Sequence, residues 1–105
     1  MHDQNSDLVT VASKCAAACE HCATSCLGSN DVQAMTDCIT LDRDCADLCR
    51  LVAALASRGS RFTDSLREVL VLVCKACGDE CSKHDMDHCR ECAAACRACE
   101  QVCSE

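Results

Sequence analysis

Cysteine is the residue type in this chain best placed to do chemistry, and its 15 copies fall into four sets. The first is Cys15, Cys19, Cys22 and Cys26, with steps of four, three and four. The second is Cys38, Cys45 and Cys49, and the third Cys74, Cys77 and Cys81. The fourth is Cys89, Cys92, Cys96, Cys99 and Cys103, alternating three and four throughout. At about 100° per residue, each set lies within an arc of roughly 80° on a helix. No cysteine stands outside these stripes.

Three kinds of chemistry compete for such stripes. Cysteine can serve as a small core hydrophobe, but Ala, Val or Leu would pack as well without the risk of oxidation. Disulfides are a second use. Neighbours at i+3 and i+4 have β-carbons about 5–6 Å apart, whereas a disulfide wants about 3.5–4.5 Å, so bridges within a helix would be strained. A metal is the third. With bonds of about 2.3 Å or slightly less, a two-coordinate metal holds its sulfurs roughly 4–4.5 Å apart, which an i, i+4 pair reaches by side-chain rotation.

Soft thiolate selects Cu(I), Zn(II) or iron–sulfur chemistry. Zinc prefers closed groups of four ligands, usually offered by loops or knuckles, and iron–sulfur clusters need compact sets that wrap them. Cu(I) accepts two or three thiolates and lets sulfur bridge, so a continuous row can be filled along its length. The expected capacity is then between about 7 and about 15 ions. A thiol-redox sensor working through reversible disulfides, or a zinc buffer, is the alternative. Reactive cysteines usually sit partly exposed beside cations or helix N-termini, and only Cys89 stands near a helix start.

Four helices must position these residues. Gly28 and Gly59 fall where helices should end, with Ser29 or Asn30 and then Ser60 as the following caps. The expected fold is all-α, an antiparallel up-down-up-down four-helix bundle with cysteine stripes facing the core, forming a single domain over 1–105. Its helices are expected over about 6–27, 31–58, 61–83 and 88–104, joined by short loops. Gly78 should weaken the third by about 1 kcal/mol relative to Ala. Cys15-Ala16-Ala17-Ala18-Cys19 with Cys22 is echoed by Cys92-Ala93-Ala94-Ala95-Cys96 with Cys99, a repeated CAAACxxC. Charged residues flank the stripes, at Glu20, Asp42, Arg43, Asp44, Asp47, Arg50, Arg90, Arg97 and Glu100. They are read as the outer faces, which turns the cysteines inward.

The stripes give way to apolar residues at one end. Leu8, Val11, Leu51, Val52, Leu55, Phe62, Leu66, Val69, Leu70 and Val73 are expected to gather near Gly59 as a dry plug. The opposite end holds Met35, His84, Met86 and His88, soft or borderline ligands that form a candidate metal entrance. The other reading is ordinary connector with solvated histidines. His21 is read as a surface histidine and His2 as disordered.

Composition narrows the partners. The chain has 105 residues, one Phe, no Trp, Tyr or Pro, and a formal net charge of −7. Nucleic acid is disfavoured because phosphate binding needs a basic face. The longest apolar run, Val69 to Cys74, is too short to cross a membrane. Met1 to Asp7 carries neither the basic nor the apolar segment of a secretory signal. With an odd cysteine count, this points to a reducing, cytoplasmic setting. No triad, phosphate loop or paired-carboxylate motif suggests an enzyme.

The arrangement resembles the bacterial copper storage proteins, specifically their cytosolic branch. The resemblance is carried by the CxxxC pairs Cys15/Cys19, Cys22/Cys26, Cys45/Cys49, Cys77/Cys81, Cys92/Cys96 and Cys99/Cys103, and by the run His88 to Cys103. It covers essentially the whole chain. It implies a preformed bundle that fills with several Cu(I) ions, assembly as a homotetramer, and histidine favoured at the mouth. A copper-delivering chaperone becomes a candidate partner. Here Met86 lies between His84 and His88, so the mouth is mixed. Leu41 stands where a stripe cysteine could sit, which predicts a thinner array on the second helix.

Overall fold

The computed structural model describes residues 2–105, with side chains from Asn5 onward; the His2 side chain lies outside the described set. Four helices run in order: α1 over His2–Leu27, α2 over Thr36–Ser57, α3 over Thr63–Cys81 and α4 over Asp87–Cys103. A short 3-10 turn, Val32–Met35, precedes α2. At 1.5 Å per residue the 26 residues of α1 extend about 39 Å, which accounts for most of the long dimension of 45 × 17 × 17 Å. Each helix packs on two others: α1 on α2 and α4, and α3 on α2 and α4. Sulfur contacts run antiparallel around this square. Cys22 meets Cys38 while Cys15 meets Cys45, and Cys22 meets Cys89 while Cys15 meets Cys96.

The turns show how the sequence stops one helix and starts the next. Gly59 has φ +65°, the left-handed conformation that glycine adopts without strain. Its N–H donates to Ala56 O at 3.2 Å and the Ser60 N–H to Leu55 O at 2.9 Å, the paired bonds of a Schellman ending. Ser60 does not cap α3 directly; its hydroxyl accepts from the Phe62 N–H at 3.1 Å and so shapes the turn. Before α2 the effective cap is Asp31, which accepts from the Ala34 N–H at 3.3 Å and commits Val32–Met35 to the 3-10 turn. The α-helix therefore begins at Thr36, later than the apolar pattern implied.

The apolar end is narrower than hydrophobicity alone suggested. Leu8, Val52, Leu55 and Leu70 are buried, with Ala12 and Ala56 filling between them. Val11, Leu66 and Val73 are half-buried. Leu51, Phe62 and Val69 face outward instead. Helical phase explains the first and last of these: Val69 and Leu51 stand about 140° and 160° from the nearest inward cysteines, Cys74 and Cys49. Gly78 has a structural reason. A Cβ there would lie 2.8 Å from the Arg97 guanidinium, which crosses α3 to reach Asp79 at 2.7 Å.

Candidate metal centre

Every one of the 15 cysteines is a buried free thiol. Sulfurs on different helices approach within 3.5–4.0 Å, as in Cys38–Cys81 at 3.5 Å and Cys22–Cys38 at 4.0 Å. The i, i+4 pairs Cys22–Cys26 and Cys45–Cys49 both stand at 3.9 Å. Helical phase supplies the convergence, and the small side chain lets four helices close around it.

Fourteen of the thiols and one carboxylate form groups of four ligand atoms lying within 4.8 Å of one another. Nearest the entrance end is Cys22, Cys26, Cys38 and Cys89. Next comes Cys22, Asp42, Cys81 and Cys92, then Cys19, Cys77, Cys92 and Cys96. Below these lie Cys15, Cys19, Cys45 and Cys96, and last Cys15, Cys49, Cys74 and Cys99. Successive groups share a member, so the ladder is continuous. Cys103 belongs to none of them and extends the array one turn beyond Cys99.

Asp42 overturns two expectations. It was read as an outer-face charge, yet it is 0% exposed. Its Oδ1 accepts from the thiols of Cys77 and Cys92, each at 3.2 Å, and of Cys81 at 3.5 Å; Oδ2 lies 3.8 Å from the Cys38 sulfur. It also fills the stripe position assigned to Leu41. Counted from Cys38, Asp42 sits at about +40° and Leu41 at about −60°, so the carboxylate points down the axis and Leu41 is half-buried at the edge. Burial pushes its carboxyl up to about 10.

The entrance residues do not converge equally. His88 Nδ1 lies 3.6 Å from the Cys89 sulfur and 4.0 Å from that of Cys26, which adds a nitrogen to the outermost group. His84 is turned to Glu80, with Nε2 and Oε2 3.1 Å apart. Met35 is buried in the core and Met86 packs against it. His21 is exposed, but its ring stands edge-on to that of His88.

Sulfurs 3.9 Å apart with metal–sulfur bonds of about 2.3 Å subtend roughly 116° at the metal, close to trigonal. A linear site would need the pair to open by about 0.7 Å. The groups thus offer a soft monovalent ion three-coordinate or bent two-coordinate sites almost without movement. Buried neutral thiols also avoid the desolvation penalty that thiolates would incur in the absence of metal.

The family model described as copper storage protein matches residues 1–105. The uncharacterized cysteine-rich protein YhjQ of Bacillus subtilis (strain 168) is 42% identical over 89 residues, spanning 85% of this chain and 82% of that protein. The solved Cu(I)-bound copper storage protein BsCsp3 is 38% identical with a TM-score of 0.92, over 96% of this chain and 95% of its own. A cytosolic copper storage protein from Streptomyces lividans, solved with five coppers, is 41% identical with a TM-score of 0.94, over 97% and 90% of the two chains. A further structure of the Streptomyces lividans protein carries 10 copper equivalents.

Proposed function

The chain belongs to the copper storage protein family, and from that premise we propose that it stores several Cu(I) ions on its core thiolates. The observation that carries this reading is the unbroken ladder of four-ligand groups, each sharing a sulfur with the next. Sharing is what bridging thiolates require, and it suits Cu(I) better than closed four-ligand zinc sites. The proposed ligands are Cys15, Cys19, Cys22, Cys26, Cys38, Cys45, Cys49, Cys74, Cys77, Cys81, Cys89, Cys92, Cys96, Cys99 and Cys103, with the His88 nitrogen at the outermost group. His84, Met86 and Met35 line the same end as a second tier.

We read the protein as a cytosolic, non-catalytic store in which residues 1–105 act as one unit, supplied by a copper-delivering chaperone. Assembly as a homotetramer is supported by an outward apolar stripe on α3. Val69 and Leu72 are exposed on one face there, Leu72 at 69%, with exposed Phe62 just before the first turn. Size-exclusion chromatography with light scattering should give a tetramer that Leu72→Glu breaks down, with copper per chain unchanged.

Thiol accessibility separates storage from the two rivals. Reduced protein loaded anaerobically with Cu(I) should lose its reactivity toward a disulfide thiol reagent and keep that protection in excess Zn(II). Thiols that stay reactive, or copper displaced by zinc, would move the reading to zinc buffering or thiol redox chemistry.

A further inference from the structure

Fourteen of the cysteines are shielded from solvent, Cys26 and Cys89 at the mouth among them, and Cys103 alone is touched by it, at 6%. Cys103 stands at the far end of the bundle, one turn beyond Cys99 on α4. One turn beyond Cys15, Cys49 and Cys74, the inward residues of the other helices are Ala12, Val52 and Leu70, all buried. An ion at this level has only Cys99 and Cys103 to hold it, against four ligand atoms in each group behind. Beside Cys103 lies a groove of about 590 Å³ whose lining includes Asp64, Arg67 and Glu68 of α3 and Glu105. Arg67 is committed to the end of α4: its Nε donates to Cys103 O at 3.1 Å and its Nη2 to Glu105 O. It stands 4.0 Å from the exposed Asp64 carboxylate. Three carboxylates against one guanidinium leave the groove acidic.

We propose that the ladder has a second opening here, an outlet through which a small thiol bearing an ammonium group withdraws Cu(I) by way of Cys103. The proposal rests on the reading that the ladder stores Cu(I). The step is a ligand exchange. The incoming thiol bonds to copper through its sulfur as the bond from copper to Cys103 breaks, and its proton passes to the Cys103 sulfur. Copper leaves as the thiolate complex, monovalent throughout, and nothing is oxidised. Cys99 belongs to the last group of four, and successive groups share sulfurs, so the ions behind advance by the same exchange of bridges. Soft thiol is the ligand class that competes for Cu(I), and the acidic lining selects among thiols by charge. A cationic thiol is drawn into the groove and an anionic one repelled. The outlet also gives a use to a cysteine that belongs to none of the four-ligand groups and stands among apolar residues.

The test is anaerobic release of copper from the full-length loaded protein to a bulky anionic chelator that changes colour on binding Cu(I). Cysteamine and 3-mercaptopropionate, which carry opposite charges beside the thiol, are the probes. Cysteamine should speed release from wild type, and that acceleration should be lost in both Cys103→Ser and Cys103→Ala. In the double variant Asp64→Asn, Glu68→Gln the advantage of cysteamine over 3-mercaptopropionate should shrink by about tenfold, the lower end of what a charged cleft adds to an encounter rate. Raising the salt on wild type should shrink it in the same direction. Wild-type acceleration by cysteamine in both Cys103 variants, or a charge preference untouched in the double variant, would overturn the outlet while leaving storage intact. Failure of the wild type itself to retain copper would instead defeat the storage reading.

Discussion

Asp42 is the residue on which chemistry and stability meet. Its carboxyl, ordinarily near 3.8, is raised to about 10 by burial. Between those values the folded protein holds a proton that the unfolded chain has lost. Its contribution to stability is therefore complete below the lower value and declines as pH rises toward the upper one. In metal-free reduced protein, Asp42→Asn should gain stability relative to wild type as pH goes from about 5 to about 8. Urea midpoints at both pH values check this, and a constant gap would contradict it. Cys103 makes the opposite case. It lies outside the four-ligand groups, so Cys103→Ser should lower copper content by no more than about one ion. Cys22→Ser removes a member shared by two groups and should lose more; metal analysis of the two variants side by side decides it. Asp42 also marks where reading the residues failed. Among Asp44, Asp47 and Arg43 it looks like one more surface charge, and only its phase relative to Cys38 distinguishes it.

At the scale of the helix, the glycines separate conformation from space. Gly59 adopts φ +65° with nothing within 4 Å of an added Cβ, so Gly59→Ala should destabilise by about 1–2 kcal/mol through backbone strain alone. Gly78 is helical and crowded only by the flexible end of Arg97. Gly78→Ala gains about 1 kcal/mol of helix propensity and gives up an exposed ion pair worth about 0–1 kcal/mol. It should lie between wild type and about 1 kcal/mol above it. Thermal unfolding of both variants tests the contrast, and a Gly78→Ala loss as large as that of Gly59→Ala would contradict it. The helices themselves were legible, because the cysteine steps of three and four define a helix and its inner face together. Their first turns were not. The 3-10 turn depends on Asp31 reaching Ala34, a competition between local bonds that spacing does not reveal. The fate of Leu51, Phe62 and Val69 was misjudged because hydrophobicity outweighed phase.

At the scale of the whole molecule, the sulfur ladder takes the place of a large-ring core. Fifteen small thiols and a few aliphatic residues fill a bundle 17 Å across, and surface ion pairs such as Arg50–Glu20 at 2.9 Å join neighbouring helices. Because the thiols are neutral until metal arrives, the metal-free protein should be folded, and loading should release protons and weaken with acidity. Helical circular dichroism of the reduced metal-free protein that matched the loaded form would agree with a preformed store; helix appearing only with copper would contradict it. The most direct test is the copper count. Fully reduced protein is titrated anaerobically with Cu(I) against a competing chelator, and metal per chain is measured after gel filtration. Retention of between about 7 and about 15 ions per chain is the predicted result. Retention of only one or two would contradict a continuous ladder and the storage function built on it.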